Sequence, residues 1–156
     1  MPGEALLIGI ATVAVVVAGF AAIAPGITPD RAQWTTGQRY RLRGIVSTSF
    51  NVTFESLLPA VLFPALGQSR STIVVSSVVV FVYVLVVIGV RARQLVQTGA
   101  LRRRWSQVTF VAGITATTLF GLNAVVFASL TAYALALCIQ LSVAAISFYT
   151  LLAGPD

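Results

Sequence analysis

The chain has 156 residues, of which 58% are hydrophobic and only 9% are charged, and its mean hydropathy is +0.95. Soluble domains carry about 25% charged residues, so this composition excludes an ordinary water-soluble domain and predicts a small multi-pass membrane protein. Ten arginines against four acidic residues give a formal net charge of +6. In a membrane protein this excess is typical of cytoplasmic loops, so we expect the lipid bilayer as a partner and no nucleic acid.

The side chains on which most enzymes rely are scarce. His and Lys are absent, and the single cysteine, Cys138, lies inside an apolar run. These facts exclude an intramolecular disulfide, a site built from several Cys or His ligands, and a Schiff base formed on a lysine. We therefore expect a protein that is not an enzyme and that holds neither a metal nor a cofactor.

The first apolar run covers residues 5–24 and has two interpretations, a cleaved signal peptide and a retained span. The residues before it include an acid, Glu4, and no basic side chain, whereas a signal peptide needs a positively charged start. Pro25 directly after the run also disfavours cleavage, so we predict a retained span that Pro25 and Gly26 end. Four alanines at helical spacing predict a face for close helix packing: Ala11, Ala14, Ala18 and Ala22.

Further apolar runs complete a predicted all-α integral membrane protein, a single domain over residues 1–156 with five transmembrane helices. The uncharged stretch 108–153 would be about 69 Å long as one helix, more than twice the roughly 30 Å of a bilayer core. It must fold back, and we place the turn at 127–131, with a break at 121–123 as the alternative. A bundle of four spans is the other architecture left open. The predicted second to fifth spans are 44–66, 72–90, 108–126 and 132–152.

Two local patterns refine these spans. The fourth span carries small residues at four-residue spacing, Gly113, Thr117 and Gly121, and this spacing predicts a second face for close helix packing. Pro64 and Gly67 are expected to end the second span, because proline cannot continue the backbone hydrogen bonds and glycine tolerates a helix end.

The arginines predict the orientation in the membrane. Nine of the ten fall in two segments that five spans place on the same side: Arg31, Arg39, Arg41 and Arg43, then Arg91, Arg93, Arg102, Arg103 and Arg104. The positive-inside rule then predicts an outside N-terminus and a cytoplasmic C-terminus, in a plasma membrane of prokaryotic type. The triplet Arg102, Arg103 and Arg104 is a candidate contact for anionic lipid headgroups, worth about 1 kcal/mol per residue; loop topology alone is the alternative explanation.

The second span carries an ionisable residue, Glu55, near its middle. A charged side chain at that depth costs roughly 2.5–3.5 kcal/mol on insertion scales, so it marks a candidate functional site. At 100° per residue, the residues near one line on this helix are Thr48, Asn51, Glu55 and Pro59. Pro59 has no N–H for the Glu55 carbonyl, so we expect a kink and a free carbonyl beside the carboxyl group. In the fifth span, Gln140 is the other strongly polar residue at mid-depth.

Two hypotheses follow for Glu55. In the first it is the ion or proton site of a channel or transporter, and oxygen atoms of Thr48, Asn51 and Gln140 complete the site. Because five spans make a narrow bundle, that pathway is expected in a homo-oligomer with Glu55 near a symmetry axis.

In the second hypothesis Glu55 is structural and bonds to Asn51, Gln140 or a backbone carbonyl, in a non-catalytic accessory subunit of a membrane complex. Such interhelical hydrogen bonds are worth about 0.6–2 kcal/mol each. An intramembrane enzyme is not expected, since one carboxyl group, one thiol and no His do not make a catalytic constellation.

Overall fold

The computed structural model of the chain describes residues 3–27, 36–67, 69–98 and 104–152. In these ranges the chain is helical apart from short turns and forms no strand, so the all-α prediction is confirmed. The five helices are α1 Glu4–Ile27, α2 Thr36–Leu66, α3 Ser69–Thr98, α4 Arg104–Leu122 and α5 Leu130–Leu152. A single π-helical turn, Asn123–Phe127, continues α4.

Each helix contains a stretch long and apolar enough to cross a membrane, which favours five spans over four. The stretches are 21 to 26 residues long, and roughly 20 residues span a bilayer core. They are Glu4–Ala24, Arg41–Leu66, Ser69–Val90, Gln107–Phe127 and Leu130–Leu152. Large hydrophobic side chains cover the outside of the bundle: Phe54 is 71% exposed and Val125 is 86% exposed. An apolar outer surface of this kind suits lipid.

Two predictions about prolines need correction. α1 continues past Pro25 and Gly26, because a proline removes one backbone hydrogen bond and the last turn of a helix tolerates that loss. Pro64 likewise lies inside α2, which ends two residues later. Gly67 closes that helix as predicted: its φ is +64°, and its N–H donates to the Phe63 carbonyl at 2.9 Å, a helix end that favours glycine.

The helices form a bundle with α2 and α5 at its centre. α2 packs against α1, α3 and α5, and α5 packs against α1, α2 and α4. Ile45 of α2 clusters with Leu151 near the end of α5, while Val52 clusters with Tyr133 near its start, so these two helices are antiparallel. We call the end of the bundle with Gly67 and the α4–α5 connection the turn end. The opposite end, the arginine end, holds most of the arginines whose side chains are described: Arg39, Arg41, Arg43 and Arg93.

The small residues of α1 form its buried face, with one shift from the prediction. Ala11, Ala14 and Ala18 are buried, but Ala22 is exposed and Ala21 is buried in its place. The shift follows from helix geometry, because a step of four residues turns about 40° beyond a full turn. The next buried alanine after Ala18 is therefore three residues further on, at Ala21, which keeps the buried residues on the same side of the helix.

The small residues of α4 face α3. A Cβ placed on Gly113 would lie 3.6 Å from the Ile88 side chain, and one placed on Gly121 would lie 3.0 Å from the Phe81 ring. The second distance is shorter than ordinary van der Waals contact, so the Phe81 ring packs directly on the Gly121 backbone. Thr117 between the two glycines is also buried, and the predicted close-packing face of the fourth span is confirmed.

The connection between α4 and α5 combines the two predicted positions for this turn. The helix leaves α geometry at Asn123, and the chain reverses at Ala128 and Ser129. Asn123 Oδ1 accepts from the Ser129 N–H at 3.0 Å, and its Nδ2 donates to Ser77 Oγ on α3 at 2.9 Å. Ser129 caps α5, since its Oγ accepts from the Ala132 N–H at 3.1 Å. One asparagine side chain thus joins the turn to a neighbouring helix.

Ala128 has a φ of +47°, a left-handed conformation that costs most residues roughly 1–2 kcal/mol and glycine little. Ala128→Gly is therefore expected to stabilise the protein by about 1 kcal/mol, measured as a higher midpoint of thermal unfolding in detergent. Gly67→Ala is the matched control, because its φ is also positive and an added Cβ should lower the midpoint. Equal midpoints for both variants and the parent chain would contradict left-handed geometry at these turns.

Candidate functional site

Glu55 lies near the middle of the apolar stretch of α2. It follows Arg41, where that stretch begins, by 14 residues and precedes Leu66, where it ends, by 11. These separations place it about 21 Å and about 17 Å from the two ends along the helix. The side chain is 4% exposed, so a single copy of the chain encloses the carboxyl group.

Gln140 is the side chain that meets this carboxyl group. Its Nε2 donates to Glu55 Oε2 at 2.9 Å, and the residue itself is 9% exposed. The structure therefore brings together the two polar residues that the sequence places at mid-depth. The second carboxyl oxygen, Glu55 Oε1, is buried and has no hydrogen-bond partner among the described residues. The two oxygens of the carboxyl group therefore have different surroundings, because one is held by Gln140 and the other is open.

Tyr133 binds the backbone carbonyl that Pro59 leaves free. Its hydroxyl donates to the Glu55 carbonyl oxygen at 2.6 Å, and both Tyr133 and Pro59 are fully buried. Because Pro59 has no N–H, the tyrosine replaces the hydrogen bond that the helix lacks there. Tyr133 also packs edge-to-face on Phe120 of α4, with ring centroids 5.2 Å apart and an interplanar angle of 70°. The tyrosine thus connects α4 and α5 to the proline turn of α2.

Asn51 and Thr48, two further predicted site residues, make no hydrogen bond to the carboxyl group in the described part of the chain. Asn51 Oδ1 accepts from the hydroxyl of Tyr83 on α3 at 2.9 Å, and Thr48 is half-buried. Residues four apart on a helix are rotated by about 40° relative to each other. Glu55 therefore faces α5, whereas Asn51, one turn earlier on the predicted line, faces α3. We call Glu55, Gln140 and Tyr133 the carboxyl site.

Other buried polar side chains were not predicted as site residues. They are Ser49, Ser56, Thr72, Ser76, Ser77 and Asn123. Ser56 donates to the Val52 carbonyl of its own helix at 2.7 Å, whereas the hydroxyls of Ser49 and Ser76 have no partner among the residues described. Serines are inconspicuous in a membrane helix, because their hydroxyls often bond to the carbonyl one turn earlier. The four-residue step from Thr72 to Ser76 is the signal that could have identified a polar face on α3.

The predicted lipid contacts Arg102 and Arg103 lie outside the described residues, and of Arg104 the structure describes only the backbone, at the start of α4. Within the described ranges, no three His, Cys, Asp or Glu side chains are grouped so that they could hold a metal ion. Cys138 is exposed and unpaired. The chemistry available in the described part of the spans is therefore concentrated in the carboxyl site.

Removing the Tyr133 hydroxyl measures how strongly it stabilises the packing of α2 on α5. Tyr133→Phe keeps the ring against Phe120 but leaves the Glu55 carbonyl without a donor, so we expect a loss of about 1–2 kcal/mol in the free energy of unfolding in detergent. Tyr83→Phe is the matched control, because it removes an exposed hydroxyl bound to Asn51 and should cost less. A Tyr133→Phe effect no larger than that of the control would show that the carbonyl finds another donor.

Comparisons with known proteins add no relative from which a role could be transferred to these residues. No protein-family model matches the chain, and searches of curated proteins and of solved structures find no match either. The function is therefore argued from the geometry of the carboxyl site alone.

Proposed function

We propose that the protein is a small ion- or proton-translocating membrane protein and that the Glu55 carboxyl group is its binding group. The observation that carries this proposal is the unpartnered Oε1 of a carboxyl group that is 4% exposed at mid-span. A residue present only for packing is expected to have both oxygens bonded, because a buried polar atom without a partner costs about 1–3 kcal/mol. A group that binds and releases a positively charged ligand needs an oxygen that the protein leaves open.

The surroundings of Glu55 support binding within one copy of the chain. Gln140 holds Oε2 and Tyr133 holds the backbone of the same residue, so the carboxyl group has a fixed position with one oxygen open. Pro59 in the following turn weakens the helix there, because a missing backbone hydrogen bond lets a helix bend. Bending at Pro59 would expose the carboxyl group alternately to the two ends of the bundle. A homo-oligomer would then repeat this site in each protomer and would not need Glu55 on its axis.

The proposal includes an orientation in a prokaryotic cell membrane. With the arginine end in the cytoplasm, the chain follows the positive-inside rule, its N-terminus lies outside and its C-terminus lies inside. Arg102, Arg103 and Arg104 are then candidate contacts for anionic headgroups of the inner leaflet. The lipid bilayer is the one partner that this proposal requires.

Glu55→Gln tests the proposed function. The amide keeps the size of the side chain and still accepts a hydrogen bond from Gln140, but it cannot carry a negative charge. Flux across proteoliposome membranes, driven by an imposed pH or cation gradient and followed with an internal dye, is expected to fall at least tenfold. Glu4→Gln is the matched control, because Glu4 is the acid in the first turn of α1, outside the carboxyl site, and its replacement should preserve the flux.

Two results would refute the transport role. The first is the absence of flux through the parent chain under every cation and pH gradient tried. The second is a Glu55→Gln variant, shown to be folded by its unfolding midpoint, that transports as fast as the Glu4→Gln control.

A second candidate function, a structural subunit of a larger membrane complex, is favoured by the two interhelical hydrogen bonds to Glu55. Gln140 and Tyr133 both reach from α5 to this one residue of α2, and together such bonds are worth about 1–3 kcal/mol. In that role Glu55→Gln would change the stability of the protein or the set of partners that co-purify with it. A single species in native mass spectrometry, with unchanged stability in the variant, would count against the structural role.

A further inference from the structure

We infer that the ligand of Glu55 is a proton and that it reaches the carboxyl group from the turn end of the bundle. This inference rests on the proposed function and adds to it the ligand and its route of entry. Two observations carry it. One is the number of oxygen atoms at the carboxyl site, and the other is the unequal distribution of buried polar side chains along the bundle.

The carboxyl site offers too few oxygen atoms for a metal cation. Hard cations such as Ca²⁺ and Mg²⁺ take about six or more oxygen ligands. Gln140 presents its Nε2 donor to Glu55, and the Tyr133 hydroxyl is engaged with the backbone, so neither side chain adds an oxygen ligand beside the carboxyl group. Oε1 is the carboxyl oxygen left without a partner. One oxygen is enough to bind a proton, and the resulting neutral acid avoids the cost of a buried charge.

The other titratable groups of the apolar stretches do not compete for this proton. Tyr133 of α5 is the group that faces Glu55, and its hydroxyl binds the backbone carbonyl. Tyr83 of α3 binds an amide oxygen of α2, and Cys138 and Tyr149 of α5 are exposed. The described apolar stretches of α1 and α4 bring no ionisable side chain to this depth. Apart from Glu55, the acidic and basic residues of the described stretches stand near their ends: Glu4 and Arg70 at the turn end, Arg41 and Arg43 at the arginine end.

Towards the turn end, the inner face of α3 is polar and runs beside the larger apolar cluster of the bundle, which includes Leu7 and Tyr133. Thr72, Ser76 and Ser77 are completely buried there, and Ser77 accepts a hydrogen bond from Asn123 in the α4–α5 connection. Ser76 lies about 10 Å along its helix from the turn end and Glu55 about 17 Å along its own, so in depth this polar face lies between the level of Glu55 and that end. The Ser76 hydroxyl has no partner among the described residues. Open hydroxyls of this kind bind the internal water that carries protons.

Towards the arginine end, the interior is apolar. Ala21, Ile45 and Leu151 form a buried cluster there, against which further apolar side chains pack: Val17, Leu42, Val46 and Phe148. Ser49 of α2 lies in this half, and its hydroxyl is also without a partner among the described residues. It stands one turn from Ile45 on the side of Glu55, so the apolar cluster separates it from the arginine end. A constriction lined only by apolar side chains excludes water. The proton is therefore expected to enter from the turn end, and the cluster of Ala21, Ile45 and Leu151 must open before it can leave.

Cysteine accessibility tests the route of entry. Ser76→Cys and Ile45→Cys are made in the full chain with Cys138→Ala, and each is treated in detergent with a small cationic methanethiosulfonate reagent. The two positions are equally buried, at 0% and 1% exposure. Ile45 lies about 6 Å along its helix from the arginine end, whereas Ser76 lies about 10 Å along its helix from the turn end. Ile45 is therefore the shallower of the two positions. Depth alone thus favours Ile45, whereas we expect modification at position 76 to be at least tenfold faster.

Equal rates at the two positions, or a faster rate at position 45, would overturn entry from the turn end. If Ser76→Cys does not fold, Ser77→Cys repeats the comparison at a position that is also 0% exposed and about 12 Å from the turn end, deeper than Ile45, with the same expected order. Loss of flux in Glu55→Gln together with the reverse order of rates would reject this route and leave the proposed function standing.

A separate measurement tests the proton as ligand. Flux driven by a pH gradient is compared in proteoliposomes that contain Na⁺ or K⁺ and in proteoliposomes in which choline replaces both ions. We expect the two rates to agree within twofold and both to be lost in Glu55→Gln. A flux that requires Na⁺ or K⁺ and disappears in choline would overturn the assignment of a proton to Glu55, while the carboxyl group would keep its role in translocation.

Discussion

Asn123→Leu is expected to destabilise the protein by about 2–3 kcal/mol, more than any other single replacement in the α4–α5 connection. Asn123 is completely buried and bonds both to Ser77 on α3 and to the Ser129 N–H that begins α5. Leucine has a similar volume and offers neither the donor nor the acceptor. Two polar groups would then lose their partner, and each such loss costs about 1–3 kcal/mol where the group is buried.

Ser77→Ala separates the two bonds of Asn123. It removes only the contact with α3, so we expect a loss of about 1 kcal/mol, and the double variant with Asn123→Leu should be little worse than Asn123→Leu alone. The free energies of unfolding of the parent chain, the two single variants and the double variant, measured in mixed micelles, complete this double-mutant cycle. Additive effects of the two replacements would show that the Asn123–Ser77 hydrogen bond contributes nothing.

The helices and the pairing at their centre could be predicted because the alternatives are few in an apolar run. A stretch without charges has to satisfy its backbone as a helix in lipid, and its length sets the number of crossings. Glu55 and Gln140 are the two strongly polar residues that the sequence places at mid-depth, so an interhelical pair between them is the inexpensive solution. The free carbonyl at Glu55 follows in the same way from the covalent structure of Pro59.

The partners of the remaining polar groups could not be predicted, because they depend on how the helices rotate and cross. Tyr133 stands seven residues before Gln140 and therefore on the same helix face, but a face does not specify that one residue reaches a side chain and the other a backbone carbonyl. Asn51 was expected beside Glu55 and is not. It is rotated by about 40° from Glu55 on the same helix, and this rotation brings it to Tyr83 on α3 instead. A helical wheel fixes each residue within its own helix and leaves the neighbouring helix unspecified.

The role of Asn123 was also beyond the sequence, for a different reason. Its two bonds exist because the chain follows a π-helical turn at Asn123–Phe127, which adds a residue to the turn and changes the direction of the side chains after it. A period of 3.6 residues contains no sign of that insertion. Ala128 likewise gives no sequence signal for a chain reversal, because alanine is a common helix former, yet its φ in the structure is +47°.

Replacing Gln140 by Leu is expected to lower the free energy of unfolding by about 2 kcal/mol, because both oxygens of Glu55 then lack a partner. Glu55→Leu should have a cost of similar size, since it leaves the Gln140 amide unpaired in turn. Glu55→Leu combined with Gln140→Leu removes both polar groups and keeps the volume, so we expect a stability within about 1 kcal/mol of the parent chain or above it. Unfolding midpoints of the four proteins in one detergent provide the comparison.

This double replacement separates the two functions proposed for Glu55. If the carboxyl group served helix packing, the double variant would lose stability and the parent chain would show no flux to lose. If it binds a translocated ligand, the double variant should fold as well as the parent chain and transport nothing. A stable and inactive protein would mean that the Glu55–Gln140 pair is dispensable to the fold, and that transport is the property that the buried carboxyl group provides.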